Sequence, residues 1–131
     1  MPSFHIDLAS ASDLPEYCGV RSAFRGTSIL RVTPLEDGLA GFKLEEVVVA
    51  PFEKDYDAVE PPSAWPGRFD VSRWSFFLAR EGREEGAAIG GAVVAHDTPD
   101  LHMLEGRTDL GCLWDLRVRA EVGSTRQNIV L

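Results

Sequence analysis

The sequence predicts an α+β domain: a mostly antiparallel sheet that closes with a β-meander, preceded by a short N-terminal helical region. Three observations predict it. Residues 74–81 (WSFFLARE), 87–97 (AAIGGAVVAHD) and 109–118 (DLGCLWDLRV) are successive runs of strand-forming residues separated by turn signals. The segment FKLEEVVVAPF (42–52) is rich in β-branched residues and meets a proline at Pro51, where the strand should end. The stretch SDLPEYC carries the marks of a helix start, because Asp13 is followed three residues later by Glu16 and Pro15 falls in the first turn. At 131 residues the chain is one domain at most, spanning 1–131.

Taken in order, FHIDL (4–8) alternates apolar and polar residues as an edge strand does. In the helix that follows, Leu14, Tyr17, Cys18 and Phe24 fall near one face, and Gly26 is a suitable C-terminal stop. TSILRV (27–32) fits either a strand or a second helical segment. DYDAVEPPSAWPGRFDVSR (55–73) has three prolines and no clear period, so it reads as a long ordered loop pinned by Trp65 and Phe69. EGREEG (81–86) is a hairpin-type turn, and Gly90–Gly91 mark a bulge or a close approach of backbone. In the last strand Leu110, Cys112, Trp114, Leu116 and Val118 share one face, and Asp109, Gly111, Asp115 and Arg117 the other. Leu113 alone breaks the alternation.

Composition narrows the function. Twenty-one acidic against thirteen basic residues leave a net charge of −8, which argues against nucleic acid as a partner. An acidic surface suits a cationic small molecule, or serves solubility alone. Glu45, Glu46, Glu53, Asp55, Asp57 and Glu60 crowd one stretch and would attract such a molecule. Cys18 and Cys112 lie in apolar patterns and read as reduced core residues. His5, His96 and His102 lack metal-ligand spacing, so no metal is expected. There is no signal-peptide pattern and no run of about 20 apolar residues, so no membrane association and a cytoplasmic location are the default expectations. Hydrolase nucleophile, P-loop and dinucleotide fingerprints are all missing.

The segments KDYDAVEPPSAW, WSFFLAREG, GGAVVAHD and MLEGRTDLGCLWDLRV, with the order strand, helical region, meander, resemble the GNAT family of acetyl-CoA-dependent N-acetyltransferases, and its streptothricin acetyltransferase branch most. The likeness runs from about Phe42 to Glu121. It implies acetyl-CoA as co-substrate and a basic small-molecule amine, such as an antibiotic, as acceptor. Acetyl transfer needs a neutral amine, a polarised thioester carbonyl and a proton for the departing thiolate. By resemblance, the backbone of Leu116, Arg117 and Val118 holds the pantetheine arm. Asp115 is the candidate for orienting or deprotonating the amine, and Glu105 is the second. The competing reading of each is a solvated or salt-bridged carboxylate, with Arg117 a ready partner for Asp115. Tyr56, Trp65 and Trp74 are candidates to line the substrate pocket, against a plain packing role.

The resemblance fails at one motif. The family follows this strand with (R/Q)-x-x-G-x-(G/A), whose backbone amides cradle the cofactor's phosphates. Here Gly123 stands at the Arg/Gln position and Arg126 at the first glycine, and the sequence stops at Leu131. The reading is therefore a C-terminally truncated GNAT-like domain, without the later helices and strands and with impaired acetyl-CoA binding. An unpaired last strand would then favour a homodimer or a strand swap across that edge. The alternative is a non-catalytic α+β interaction module that uses the sheet edge or the acidic loop.

Overall fold

A computed structural model describes residues 3–120. Its strands are β1 (Phe4–Ala9), β2 (Phe24–Pro34), β3 (Phe42–Lys54), β4 (Ser75–Glu81), β5 (Ala88–His96) and β6 (Gly111–Val118), with two short helices, α1 (Leu14–Cys18) and α2 (Trp65–Arg68). The main sheet has the order β1-β4-β5-β6 and is antiparallel throughout, while β2 and β3 form a separate hairpin. The expected α+β class and closing meander are both present, and FHIDL is an edge strand.

The helical region is shorter than its sequence suggests. A single 3-10 turn at Ala11–Asp13 leads into α1, which ends at Cys18. The carboxylate of Asp13 accepts the Ser10 backbone N–H at 2.9 Å, so the cap sits three residues earlier than the Asp13–Glu16 spacing implies. Glu16 instead pairs with Arg80 on β4. Phe24 and Gly26 belong to β2, opposite Lys54 and Phe52, and residues 27–32 continue that strand. Long-range pairing with β3 overrides the local helical pattern. Gly26 is small for a reason: a Cβ there would lie 2.5 Å from the Phe52 ring. β3 also runs past Pro51 to Lys54, because the register shifts between Gly26 and Ser28 and the proline falls where no ladder bond is required.

The core lies on one face of the main sheet, under α1 and the 55–73 segment. Phe76 and Leu78 from β4 and Val93 and Ala95 from β5 meet Leu14, Tyr17, Trp65, Phe69, Leu101 and Leu104. The long loop is ordered, as expected, by two 3-10 turns and α2, and Trp65 (3% exposed) anchors it. Gly91 permits the closest contact between layers, since a Cβ would stand 2.5 Å from Cε2 of Tyr17 and 2.8 Å from the Phe77 carbonyl. Of the glycine pair, this is where backbone and helix approach. Cys18 and Cys112 are free thiols, half-buried rather than fully in the core.

A bulge in β6 corrects the reading of its faces. Val93 pairs with Asp115 and Val94 with Leu113, which leaves Trp114 as an extra residue. Trp114 and Asp115 therefore both turn to the core side, and the alternation changes phase between them. Cys112 and Trp114 pack on the core, and Arg117 is buried there too. Leu113, Leu116 and Val118 share the opposite face and are 60%, 68% and 51% exposed. The side chains of Leu116 and Val118, which their apolar character assigns to the core, are thus outside it.

Candidate active site

The bulge brings together a charged cluster of four side chains. Tyr17 comes from α1, Asp57 from the 3-10 turn Tyr56–Ala58, and Asp115 and Arg117 from β6. The Tyr17 hydroxyl donates to Oδ2 of Asp115 at 2.5 Å. Nε of Arg117 donates to the same oxygen at 2.8 Å, and an Nη reaches Oδ1 at 3.2 Å. The rest of the guanidinium fork grips both oxygens of Asp57 at 3.0 and 3.1 Å and the Val20 carbonyl at 2.8 Å. Its central carbon also lies 4.9 Å from the centre of the Tyr17 ring.

Burial within this cluster is uneven, and that sets its electrostatics. The Arg117 side chain is 2% exposed, but those of Asp57 and Asp115 are 16% and 20% exposed. One cation lies beneath two carboxylates, so the part that reaches solvent is anionic. Burial works against the charge on Arg117, but the hydrogen bonds to Asp115 and Asp57 outweigh it and raise its pKa further. The guanidinium is charged at every accessible pH. Burial first, and the bond to Asp115 second, push the Tyr17 phenol well above the ordinary tyrosine range.

A pH dependence follows. A folded pKa above the unfolded value of about 10 stabilises the fold fully below that pH, and the contribution is lost as pH rises toward the folded value. The stability advantage of the wild type over Tyr17→Phe is expected to be largest at neutral pH and to narrow from pH 10 upward. Urea denaturation of both proteins at pH 7 and pH 11 measures it.

The other candidates lie elsewhere. Glu105 caps the 3-10 turn His102–Leu104 in a left-handed conformation (φ 52°), is exposed, and takes no part in the bonds around Asp115. Trp65 and Trp74 are 3% and 6% exposed and join an aromatic cluster with Tyr17, Phe69, Phe76 and Trp114. Tyr56 is 52% exposed beside Asp57, with Nζ of Lys54 over its ring and Phe24 next to it. The crowded acids are mostly paired: Glu45 with Lys43, Glu46 with Ser28, Asp55 with Arg21, and Glu60 with Arg68. Among the described residues no group of His, Cys, Asp and Glu is placed to hold a metal, and no helix is long and apolar enough to cross a membrane.

β6 forms one border of the main sheet among the described residues. The Arg119 N–H donates to the Ile89 carbonyl, so in this register Arg117 and Arg119 direct their backbone groups toward β5. The N–H and C=O of Leu116 and Val118 consequently point to the outer edge. The Gly-loop positions expected after the strand, Gly123 and Arg126, lie outside the described residues.

No protein-family model and no curated protein matches the sequence. Solved structures do match the fold. Nourseothricin acetyltransferase superposes with a TM-score of 0.57 at 19% identity, covering 92% of this chain and 56% of that one. A protein assigned as a streptothricin acetyltransferase from Bacillus anthracis str. Ames, solved with acetyl coenzyme A, superposes with a TM-score of 0.57 at 14% identity, covering 93% and 60%. The chain spans little more than half the length of these proteins. The GNAT-like α+β fold expected from the resemblance is borne out.

Proposed function

We propose that the chain carries the amine-binding and pantetheine-strand portion of an acetyl-CoA-dependent N-acetyltransferase that acts on a basic small-molecule amine. The observation that carries this reading is the edge of β6. Two outward-facing backbone positions, Leu116 and Val118, flank residues of a cluster whose solvent-reaching part is two carboxylates. A pantetheine arm carries amide groups, which an open strand edge satisfies as another strand would. Acetyl-CoA, when bound, supplies the activated thioester. The likeness to proteins named for acetylating streptothricin-type antibiotics supports the same assignment.

In this reading Asp115 orients the acceptor amine. Its Oδ2 is filled by Tyr17 and Arg117, so the remaining capacity lies on Oδ1, which takes one long bond of 3.2 Å. A cationic amine gains from the anionic rim and must lose a proton before it attacks. Trp65 and Trp74 support the site from beneath, and Tyr56 borders it beside Asp57. Glu105 would act only if the acceptor extends to its turn. Gly123 and Arg126 stand where the resemblance expects Arg/Gln and the first glycine of the phosphate cradle, so acetyl-CoA affinity is expected to be low.

A thiol-release assay with a streptothricin-type amine and acetyl-CoA in the millimolar range tests the proposal. Slow, amine-dependent release that Asp115→Asn abolishes and Glu105→Gln leaves intact is the expected result. Absence of release at any acetyl-CoA concentration, or release indifferent to Asp115→Asn, would refute it.

A further inference from the structure

We infer that Asp57 is a positioning residue for the acceptor amine: by holding Arg117, it keeps one oxygen of Asp115 open. The inference rests on the reading of Asp115 as the group that orients the amine. A guanidinium has five N–H groups, and in Arg117 all five are engaged. Nε donates to Oδ2 of Asp115 at 2.8 Å. One Nη donates to the Val20 carbonyl at 2.8 Å and to Oδ2 of Asp57 at 3.0 Å. The other donates to Oδ1 of Asp57 at 3.1 Å and to Oδ1 of Asp115 at 3.2 Å. Three of the five bonds therefore draw the fork away from Asp115, and the bond that would occupy Oδ1 is the longest of the set.

Asp57 is itself fixed from behind. Its backbone N–H donates to Oδ1 of Asp55 at 3.0 Å, and the other oxygen of Asp55 accepts a bond from Arg21 at 2.8 Å. A carboxylate on so constrained a turn does not follow the guanidinium, so it sets where the fork lies. Take its charge away, and the Val20 carbonyl alone still pulls against Asp115. The freed Nη then closes on Oδ1 of Asp115, and the arginine and that aspartate become an ordinary bidentate pair. An incoming amine would have to displace a guanidinium that is 2% exposed. The charge count leads the same way: one cation shared by two carboxylates leaves a net negative charge for the amine, and one cation on one carboxylate leaves none.

Steady-state thiol release by the full 131-residue chain, with a streptothricin-type amine and acetyl-CoA, tests the inference beside Asp57→Asn. The expected result is a KM for the amine raised by about tenfold or more, with kcat and the KM for acetyl-CoA changed by less than about twofold. Asp57→Glu keeps the charge and should recover most of the loss. Glu60→Gln removes the same charge from a carboxylate that pairs with Arg68 instead, and should leave the amine KM within about twofold of the wild type. Asp57→Ala, where water can enter a site that is 16% exposed, carries the same expectation should the asparagine variant not fold. An active wild type whose amine KM is unmoved by the loss of Asp57 overturns this inference and leaves the role of Asp115 standing. A rise that Glu60→Gln reproduces does the same, since general attraction of a cation would explain it. A wild type without amine-dependent release overturns both.

Discussion

Arg117→Ala is expected to destabilise the chain by about 3–5 kcal/mol, the range for removing one partner of a buried ion pair. The guanidinium makes bonds to Asp115, Asp57 and the Val20 carbonyl, and so ties β6 to the loop after β3 and to the end of α1. Without it, two carboxylates face each other in a partly dry site. Their 16% and 20% exposure lets water relieve part of the penalty, which favours the lower end of the range. Arg117→Lys should recover only a fraction, because an ammonium is a point charge that cannot grip both carboxylates and a carbonyl as a planar fork does. Urea midpoints of the three proteins at pH 7 test this, with the wild-type slope retained if the native fold persists.

Trp74→Ala should cost a similar amount, about 3–5 kcal/mol as for other buried aromatic truncations. The indole is 6% exposed, lies within 5.7–6.5 Å of the rings of Trp65, Phe69, Phe76 and Trp114, and donates its N–H to the Thr98 hydroxyl at 2.7 Å. Trp74→Phe keeps much of the ring and loses the hydrogen bond, so it should cost about 1–2 kcal/mol. The pair also separates packing from substrate lining. A packing residue alters the urea midpoint, whereas a lining residue alters acceptor affinity in a protein of normal stability.

Much of the fold is legible in the sequence where one rule governs a segment. The strands at 75–81 and 88–96 show their alternation plainly, and EGREEG between them is an unambiguous turn. The errors arise where two elements negotiate. Phe24 and Gly26 fit a helical face locally, but thirteen residues of β3 offer a better partner. In β6 the apolar count suggests one clean face. The misfit Leu113 was in fact the visible trace of a bulge that sends Leu116 and Val118 outward and Asp115 and Arg117 inward.

The site was less legible, and the reason is distance along the chain. Asp115 stands out through its place in a family-like strand. Tyr17 lies 98 residues from it and Asp57 lies 60 residues from Arg117, so no local spacing connects them. Asp57 is hidden among neighbouring acids of similar appearance, and Tyr17 looks like one more core aromatic. The usable hint was the spacing of Asp115 and Arg117, two apart on one strand face, which makes the arginine a ready partner for that carboxylate but says nothing of the inward turn that the bulge imposes.

The central claim is that the outer edge of β6 takes a pantetheine arm. A titration of the isotope-labelled chain with acetyl-CoA, and with pantetheine alone, followed by backbone amide NMR, tests it most directly. The amides of Leu116 and Val118 should shift in a saturable way with both ligands, while those of Arg117 and Arg119, already directed toward β5, move far less. Unchanged Leu116 and Val118 signals at several millimolar of either ligand would contradict the claim.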